Sequence, residues 1–108
     1  MRPVLHGDLT ALARHLLILP PPARRHACAR IIAEADAADR YRKRFGRLHP
    51  KWGNGTLMAA ARRRVLANEP PLHHEDYARC LILVLGALAE RRQAARQSQR
   101  QRRADTCT

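Results

Sequence analysis

Three consecutive prolines, Pro20 to Pro22, constrain the fold most, because apolar residues recur at helical spacing on both sides of them. The residue before a proline is pushed out of the helical region, so the first helix should end near Leu19. Asp8 belongs to the residue types that cap helices and is expected to cap the start of this one. Pro22 suits a first helical turn, where its missing N–H costs nothing, and marks the start of the second helix.

The second helix is predicted to run from Pro22 to Phe45, because Gly46 follows as a termination signal. Its apolar face is formed by Cys28, Ile31, Ile32, Ala35, Ala38, Tyr41 and Phe45. Thr56 is predicted to cap a third helix that includes Val65 and is broken by residues 68–72. No stretch alternates apolar and polar residues as a strand pair would. The sequence therefore predicts an all-α fold.

The fourth helix is predicted to begin near His74 or Glu75. Its buried face is formed by Tyr77, Cys80, Leu81, Val84, Leu85 and Leu88. Apolar periodicity is lost from Glu90 onwards, so we predict a compact bundle of about four helices in residues 1–89 and a basic extension in residues 90–108. The extension is expected to be a projecting helix or disordered, and its composition favours a helix that needs a partner.

The formal charge of +12 predicts a partner that is itself negatively charged: nucleic acid, an anionic membrane or an acidic protein. Only Lys43 and Lys51 are lysines, and an Ala-rich, Arg-rich chain is also what a GC-rich coding bias produces, so both explanations stay open. One predicted patch contains Arg40, Arg42, Lys43, Arg44, Arg47 and Lys51, extended by Arg62, Arg63 and Arg64. A second contains Arg91, Arg92, Arg96, Arg100, Arg102 and Arg103.

The only tryptophan, Trp52, lies in a glycine-rich loop over residues 46–55 and has two interpretations. It packs over alanine faces as the large residue of an aromatic-poor core, or it is exposed beside basic residues as a stacking group. The loop is longer than the turn of a helix-turn-helix motif, so phosphate contacts are expected rather than base reading in the major groove. DNA is favoured over RNA. The alternative is an adaptor that docks on transcription machinery or another acidic protein through Trp52 or Tyr77.

We expect no enzymatic activity, because no acid, base and nucleophile set can be assembled from the sequence. No cofactor or metal is expected either, since the histidines and cysteines lack ligand spacing. The cysteines Cys28, Cys80 and Cys107 form no motif and are expected to be reduced. With no signal peptide and no apolar run long enough for a membrane, a cytoplasmic location is predicted. A homo-oligomer is compatible with either function.

The stretch EADAADRYRKRFGRLHPKWGNGTLMAAA, residues 34–61, resembles a family of short, uncharacterised proteins from Rhodobacter-like alphaproteobacteria. The stretches VLHGDLTALARHLLILPPPAR and DYARCLILVLGAL also fit that family, so the resemblance covers most of the chain before the extension. It implies a small cytoplasmic bacterial protein and transfers no catalytic or ligand residue. It also implies a link to phage-derived gene transfer agents, whose regulators occur in such bacteria.

Overall fold

The computed structural model describes residues 1–106, and over that range it contains four helices and no strand. The helices are α1 (His6–Leu17), α2 (Pro21–Phe45), α3 (Leu57–Arg62) and α4 (Glu75–Thr106). The predicted all-α fold is confirmed. Cys107 lies outside the described residues.

Helix α1 is the centre of the bundle and contacts α2, α3 and α4. Its buried side chains include Leu12 and Leu16, which join a core of small and aliphatic residues. Tyr77 is the largest fully buried side chain, and it supplies the bulk that an alanine-rich core needs.

The predicted role of Asp8 as an N-cap is wrong, because α1 begins two residues earlier and Asp8 lies in its first turn. The Asp8 carboxylate still stabilises that turn, since one oxygen accepts the backbone N–H of Leu5 at 2.8 Å. The other oxygen accepts the N–H of Met58 at 2.8 Å, in the first turn of α3. A single buried carboxylate therefore caps two helices and fixes one against the other.

Arg24 holds the other end of α1, which stops at Leu17 rather than at Leu19 as predicted. Its guanidinium donates to the carbonyls of Leu16 and Leu19 at 2.9 and 3.0 Å. It also forms two hydrogen bonds with Asp76 at 2.7 and 2.8 Å. Arg24 thus caps the C-terminus of α1 and connects it to the start of α4.

Two of the predicted helix signals are confirmed. Gly46 adopts a left-handed conformation with φ of 69° directly after α2, and the Thr56 hydroxyl accepts the N–H of Ala59 at 3.1 Å. Helix α3 is shorter than predicted, however, and Val65 lies beyond its end with 73% of its surface exposed. Side chains of α1 bind the backbone there, with His15 Nδ1 2.8 Å from the Val65 carbonyl oxygen.

Two residues of the predicted apolar faces are on the surface: Phe45 is 52% exposed, and Leu85, which was predicted to be buried, is 53% exposed. Leu85 follows the fully buried Val84 and so points about 100° away from it around the helix. Phe45 lies in the last turn of α2, beyond Ala38, the last apolar residue of that helix that is buried in the bundle. Both predictions failed because the neighbouring helices cover less of each surface than the apolar pattern suggested.

Helix α4 determines the long dimension of the molecule, which is 52 Å. The helix continues without interruption to Thr106, and every residue from Ala89 to Thr106 is exposed. Arg91 forms a contact back to α2, with a guanidinium nitrogen 2.7 Å from Asp36. Of the two expectations for the extension, the projecting helix is the one the structure has.

Candidate nucleic-acid interface

Four rings form a continuous row at the C-terminal end of α2, here called the aromatic row: Phe45, Tyr41, His49 and Trp52. The ring centroids of Phe45 and Tyr41 are 4.6 Å apart, and those of Tyr41 and His49 are 4.9 Å apart. His49 and Trp52 are stacked at 4.6 Å with an angle of 7° between their planes. Most of the chain's few aromatic residues are therefore gathered at one end of the molecule.

Backbone geometry places the last two rings of this row. His49 and Gly53 form reciprocal backbone hydrogen bonds at 3.0 and 3.3 Å, which close a hairpin over residues 49–53. Inside it, His49 Nδ1 accepts the backbone N–H groups of Lys51 and Trp52, both at 3.0 Å. Because the same nitrogen accepts both bonds, the imidazole is fixed in orientation, and the indole that stacks on it is fixed as well.

Gly55 lets this 49–53 hairpin lie directly on α2. Its φ is 90°, and a Cβ atom added to it would lie 2.7 Å from both the Cα and the Cβ of Asp39. Real Cβ contacts are not that short, so only glycine fits. The Asn54 side chain then accepts the Thr56 N–H at 3.0 Å and leads the chain into α3.

The two candidate partner anchors are in different surroundings. Trp52 is half-buried in the hairpin and stacks on His49, so the interpretation of it as the large residue of the core is wrong. Tyr77 is fully buried, and its hydroxyl donates to Glu69 at 3.2 Å. Tyr77 therefore offers no surface to a partner, contrary to its predicted role.

Several residues of the first predicted patch are engaged in ion pairs. Asp36 pairs with Arg40 at 3.4 Å, and the fully buried Asp39 pairs with Lys43 at 3.0 Å and with Arg42 at 3.9 Å. Burial opposes the ionisation of Asp39, but Lys43 and the α-amino group of Met1 hold its pKa below the usual value. These basic groups already stabilise internal carboxylates, so they contribute less to an external partner.

Arg64 is likewise engaged, since one of its nitrogens lies 2.8 and 2.9 Å from the two carboxylate oxygens of Glu34. Five other members of the first patch and its extension form no ion pair with an acidic residue of the described chain: Arg44, Arg47, Lys51, Arg62 and Arg63. All five are exposed. The guanidinium of Arg44 lies 5.4 Å from the centre of the Phe45 ring, a cation–π distance.

A shallow recess of about 350 Å³ lies between the hairpin, α2 and the end of α3. We call it the Trp52 recess; its lining residues are Arg30, Glu34, Lys51, Trp52, Arg63 and Arg64. It joins the first predicted patch to its proposed extension at residues 62–64. Arg30 was not predicted, although its position four residues before Glu34 on α2 was a signal for pairing, and the two lie 3.4 Å apart.

The second predicted patch divides into two sides of α4. At about 100° per residue, four arginines fall within an arc of about 80° and form what we call the arginine stripe: Arg92, Arg96, Arg100 and Arg103. Arg91 and Arg102 lie on the side that buries Val84 nearer the start of the helix. The exposed Leu85 and Ile82 lie in line with the stripe, so its side of α4 changes from apolar to basic along the helix.

A family of proteins matches residues 2–88 of the chain, which is most of its length. It is described as a domain of unknown function, DUF7742. The chain belongs to the DUF7742 family. No curated protein and no solved structure matches it.

The aromatic row and the Trp52 recess lie within the DUF7742 match, whereas the arginine stripe lies beyond its end at residue 88. Within residues 1–106, no three His, Cys, Asp or Glu side chains lie together in a cluster that could hold a metal ion. In the same part of the chain, no helix has both the length and the apolar content required to cross a membrane. For this DUF7742 member, the aromatic and basic surfaces are thus the features with the clearest chemistry.

Proposed function

We propose that this chain is a non-enzymatic cytoplasmic protein that binds nucleic acid, DNA in preference to RNA, mainly through phosphate contacts. The observation that carries the proposal is the group of basic side chains without acidic partners around the aromatic row. Binding a phosphate through a free arginine or lysine releases counterions from the nucleic acid and breaks no internal ion pair. The resemblance to alphaproteobacterial proteins adds transcriptional control, including that of a phage-derived gene transfer agent, as the proposed context.

The arginine stripe supports the same proposal and argues against coding bias as its whole explanation. A bias in codon use distributes arginines without regard to the helical period. In the extension, four arginines share one arc of α4, and every residue from Arg92 to Thr106 is exposed. A straight row of cations on an isolated helix suits a polyanion, because every member reaches the backbone of one ligand.

The test is a fluorescence-anisotropy titration of the full chain with labelled duplex DNA and with single-stranded RNA, over a range of salt concentrations. If the five unpaired cations each neutralise one phosphate, the logarithm of the association constant for duplex DNA should fall with the logarithm of the salt concentration at a slope of about 4 to 5. Polyglutamate serves as a competitor that carries charge but no nucleotide. Binding that does not change with salt would refute the proposal, and so would equal affinity for polyglutamate and DNA.

A second candidate function is an adaptor for a protein of the transcription machinery. The specific observation in its favour is the pair of exposed apolar residues on α4: Ile82 is 68% exposed, and Leu85 lies one turn further on. Titration of immobilised bacterial RNA polymerase with the full chain tests this candidate. Ile82→Ala with Leu85→Ala should abolish binding, whereas Leu48→Ala, a change at another exposed apolar residue, should not. Retained binding by the double variant excludes this surface.

A further inference from the structure

We propose that the Trp52 recess is a binding site for an unpaired base, so that the nucleic acid bound at this end of the molecule is single-stranded. The inference rests on the proposed function and deepens it, because phosphate contacts alone do not distinguish a duplex from a single strand. The inference depends on the accessibility of Trp52, on the charges around the recess, and on the other rings that adjoin Trp52.

Part of Trp52 is accessible to a ligand, because the residue is only half-buried. His49 covers one face, yet His49 is not among the residues that line the recess. Trp52 itself is one of the lining residues, so the accessible part of this residue adjoins the recess. The ring is held in place before any ligand arrives, since the hairpin hydrogen bonds fix both His49 and the Trp52 backbone. A stacking group ordered in advance loses little entropy when it binds.

The charges around the recess orient such a ligand. Glu34 lines the recess and is 8% exposed, and its carboxylate is already paired with Arg64 and Arg30. That carboxylate partly neutralises Arg30 and Arg64, so these two arginines offer less charge to a phosphate. Lys51 and Arg63 are exposed and have no acidic partner among the described residues, so they suit phosphates outside it. A nucleotide thus fits with its base against Trp52 and its phosphates near Lys51 and Arg63.

A base in a duplex cannot occupy this position, because both of its faces are covered by its neighbours in the stack. The recess volume of about 350 Å³ lies near the lower end of ligand pockets, and it suits one small planar group. The aromatic row continues from Trp52 to the exposed Phe45, with Arg44 above that ring. Further rings and cations beside the recess favour a strand over a free mononucleotide, since successive bases stack on successive rings in single-strand binding proteins.

Trp52 is the only tryptophan in the chain, so tryptophan fluorescence reports on this residue alone. The full chain is titrated with a thymidine oligonucleotide of about eight nucleotides, within the usual range of single-strand site sizes. The matched probes are an abasic strand of equal length and charge, a duplex, and thymidine monophosphate. Base stacking should quench Trp52 with the oligonucleotide, whereas the abasic strand should bind and leave the emission nearly unchanged.

Variants test the same point through affinity. Trp52→Ala should weaken binding of a labelled oligonucleotide by about fivefold to 150-fold, the equivalent of about 1–3 kcal/mol for one stacked base. Duplex affinity should change by less than about twofold, because the phosphate contacts remain. Leu48→Ala is the control, since Leu48 is an exposed apolar residue of the same loop that does not line the recess. Lys51→Gln with Arg63→Gln keeps the fluorescent reporter and should weaken strand binding without abolishing the quenching at saturation.

The outcomes separate this inference from the proposed function. Equal quenching by the abasic strand, unchanged strand affinity in Trp52→Ala, or saturation by thymidine monophosphate at the same concentration would overturn the base-binding site. Salt-dependent duplex binding would survive each of these results, and the proposed function with it. Absence of binding to every nucleic acid probe would refute both proposals. Circular dichroism of Trp52→Ala establishes that a loss of affinity is not a loss of fold.

Discussion

Replacement of Gly55 by alanine tests whether the 49–53 hairpin is held against α2 as described. At φ of 90°, an alanine adopts a conformation that residues with a Cβ rarely populate. The added Cβ would also lie 2.7 Å from Asp39 Cα and 3.0 Å from the Asp39 backbone nitrogen. Those are backbone atoms in the middle of a helix and cannot rotate away, so the loop must leave its position or α2 must deform.

The expected loss of stability has two parts. A residue with a Cβ in such a conformation costs about 1–3 kcal/mol. The steric overlap with a packed helix costs about 1–3 kcal/mol more. Together they lower the free energy of unfolding by about 2–6 kcal/mol, a large part of the 5–15 kcal/mol that is typical of a domain. At about 4–8 °C per kcal/mol, the melting temperature should fall by at least about 8 °C.

Two further glycine-to-alanine variants serve as matched controls. Gly46 has a φ of 69° but nothing within 4 Å of its added Cβ, so Gly46→Ala measures the backbone cost without the overlap, about 1 kcal/mol. Gly86 lies inside α4, also with nothing within 4 Å. Gly86→Ala should therefore stabilise the chain by about 0.5–1 kcal/mol through helix propensity.

Thermal and urea unfolding followed by circular dichroism rank the three variants. The expected order of stability is Gly86→Ala, the unmodified chain, Gly46→Ala, and then Gly55→Ala. If the stability of Gly55→Ala lies within about 0.5 kcal/mol of that of Gly46→Ala, the overlap with Asp39 does not occur and the described docking is wrong. Displacement of the hairpin should also reduce single-strand binding in Gly55→Ala, while Gly86→Ala should bind normally.

Three other predictions concern the helix ends, the extension and a buried thiol. Arg24→Met should lower stability at pH 7 by about 2–4 kcal/mol, because charged hydrogen bonds to the end of α1 are lost. The Arg24 hydrogen bond lowers the pKa of Asp76. The contribution of this ion pair to the free energy of unfolding is therefore present above about pH 4 and is lost as the pH falls below that. Urea midpoints at about pH 7 and about pH 3 should therefore differ less in Arg24→Met than in the unmodified chain. The stripe is tested by the salt dependence of DNA binding in two variants that remove equal charge: Arg96→Gln with Arg100→Gln, and Arg91→Gln with Arg102→Gln. The first should reduce the slope by about 2, and the second by less, since Arg91 is paired with Asp36; equal slopes would contradict the stripe. Burial raises the pKa of Cys28 to about 11, so its alkylation at about pH 8 should be at least about a hundredfold slower in the folded chain than in urea, as measured by mass spectrometry of the Cys28 peptide. Comparable rates would show that Cys28 is not buried.

Local signals predicted the helices well because they act through the backbone of a few neighbouring residues. The prolines separate α1 from α2, Gly46 ends α2, and Thr56 caps α3, each through a conformation or hydrogen bond within one turn. Caps supplied by residues outside the helix concerned were not predicted. Arg24 satisfies carbonyls at the end of α1, and Asp8 serves α3 from a position far away in the sequence. No spacing rule along the chain reveals such a contact.

In the candidate site, too, local features were predicted from the sequence and long-range contacts were not. The sequence identified the basic residues around the loop and the extension, and it identified Trp52 as a residue with two interpretations. Helical spacing predicts the pairs of Asp36 with Arg40 and of Asp39 with Lys43, but not those of Glu34 with Arg64 and of Asp36 with Arg91, which join residues far apart in the sequence. The location of Tyr77 was equally a matter of packing: the same residue type is a core residue or a surface anchor according to what covers it.

The sequence by itself determined the helical class, the helix order and the excess of positive charge, since these follow from periodicity, from the prolines and glycines, and from composition. Only the tertiary structure decided that four rings form one row, that Lys51 and Arg63 flank a recess beside Trp52, and that Leu85 is exposed. The physical reason is the range of the interactions. Backbone preferences act between near neighbours, whereas ring stacking, ion pairing and burial depend on residues that only the fold brings together.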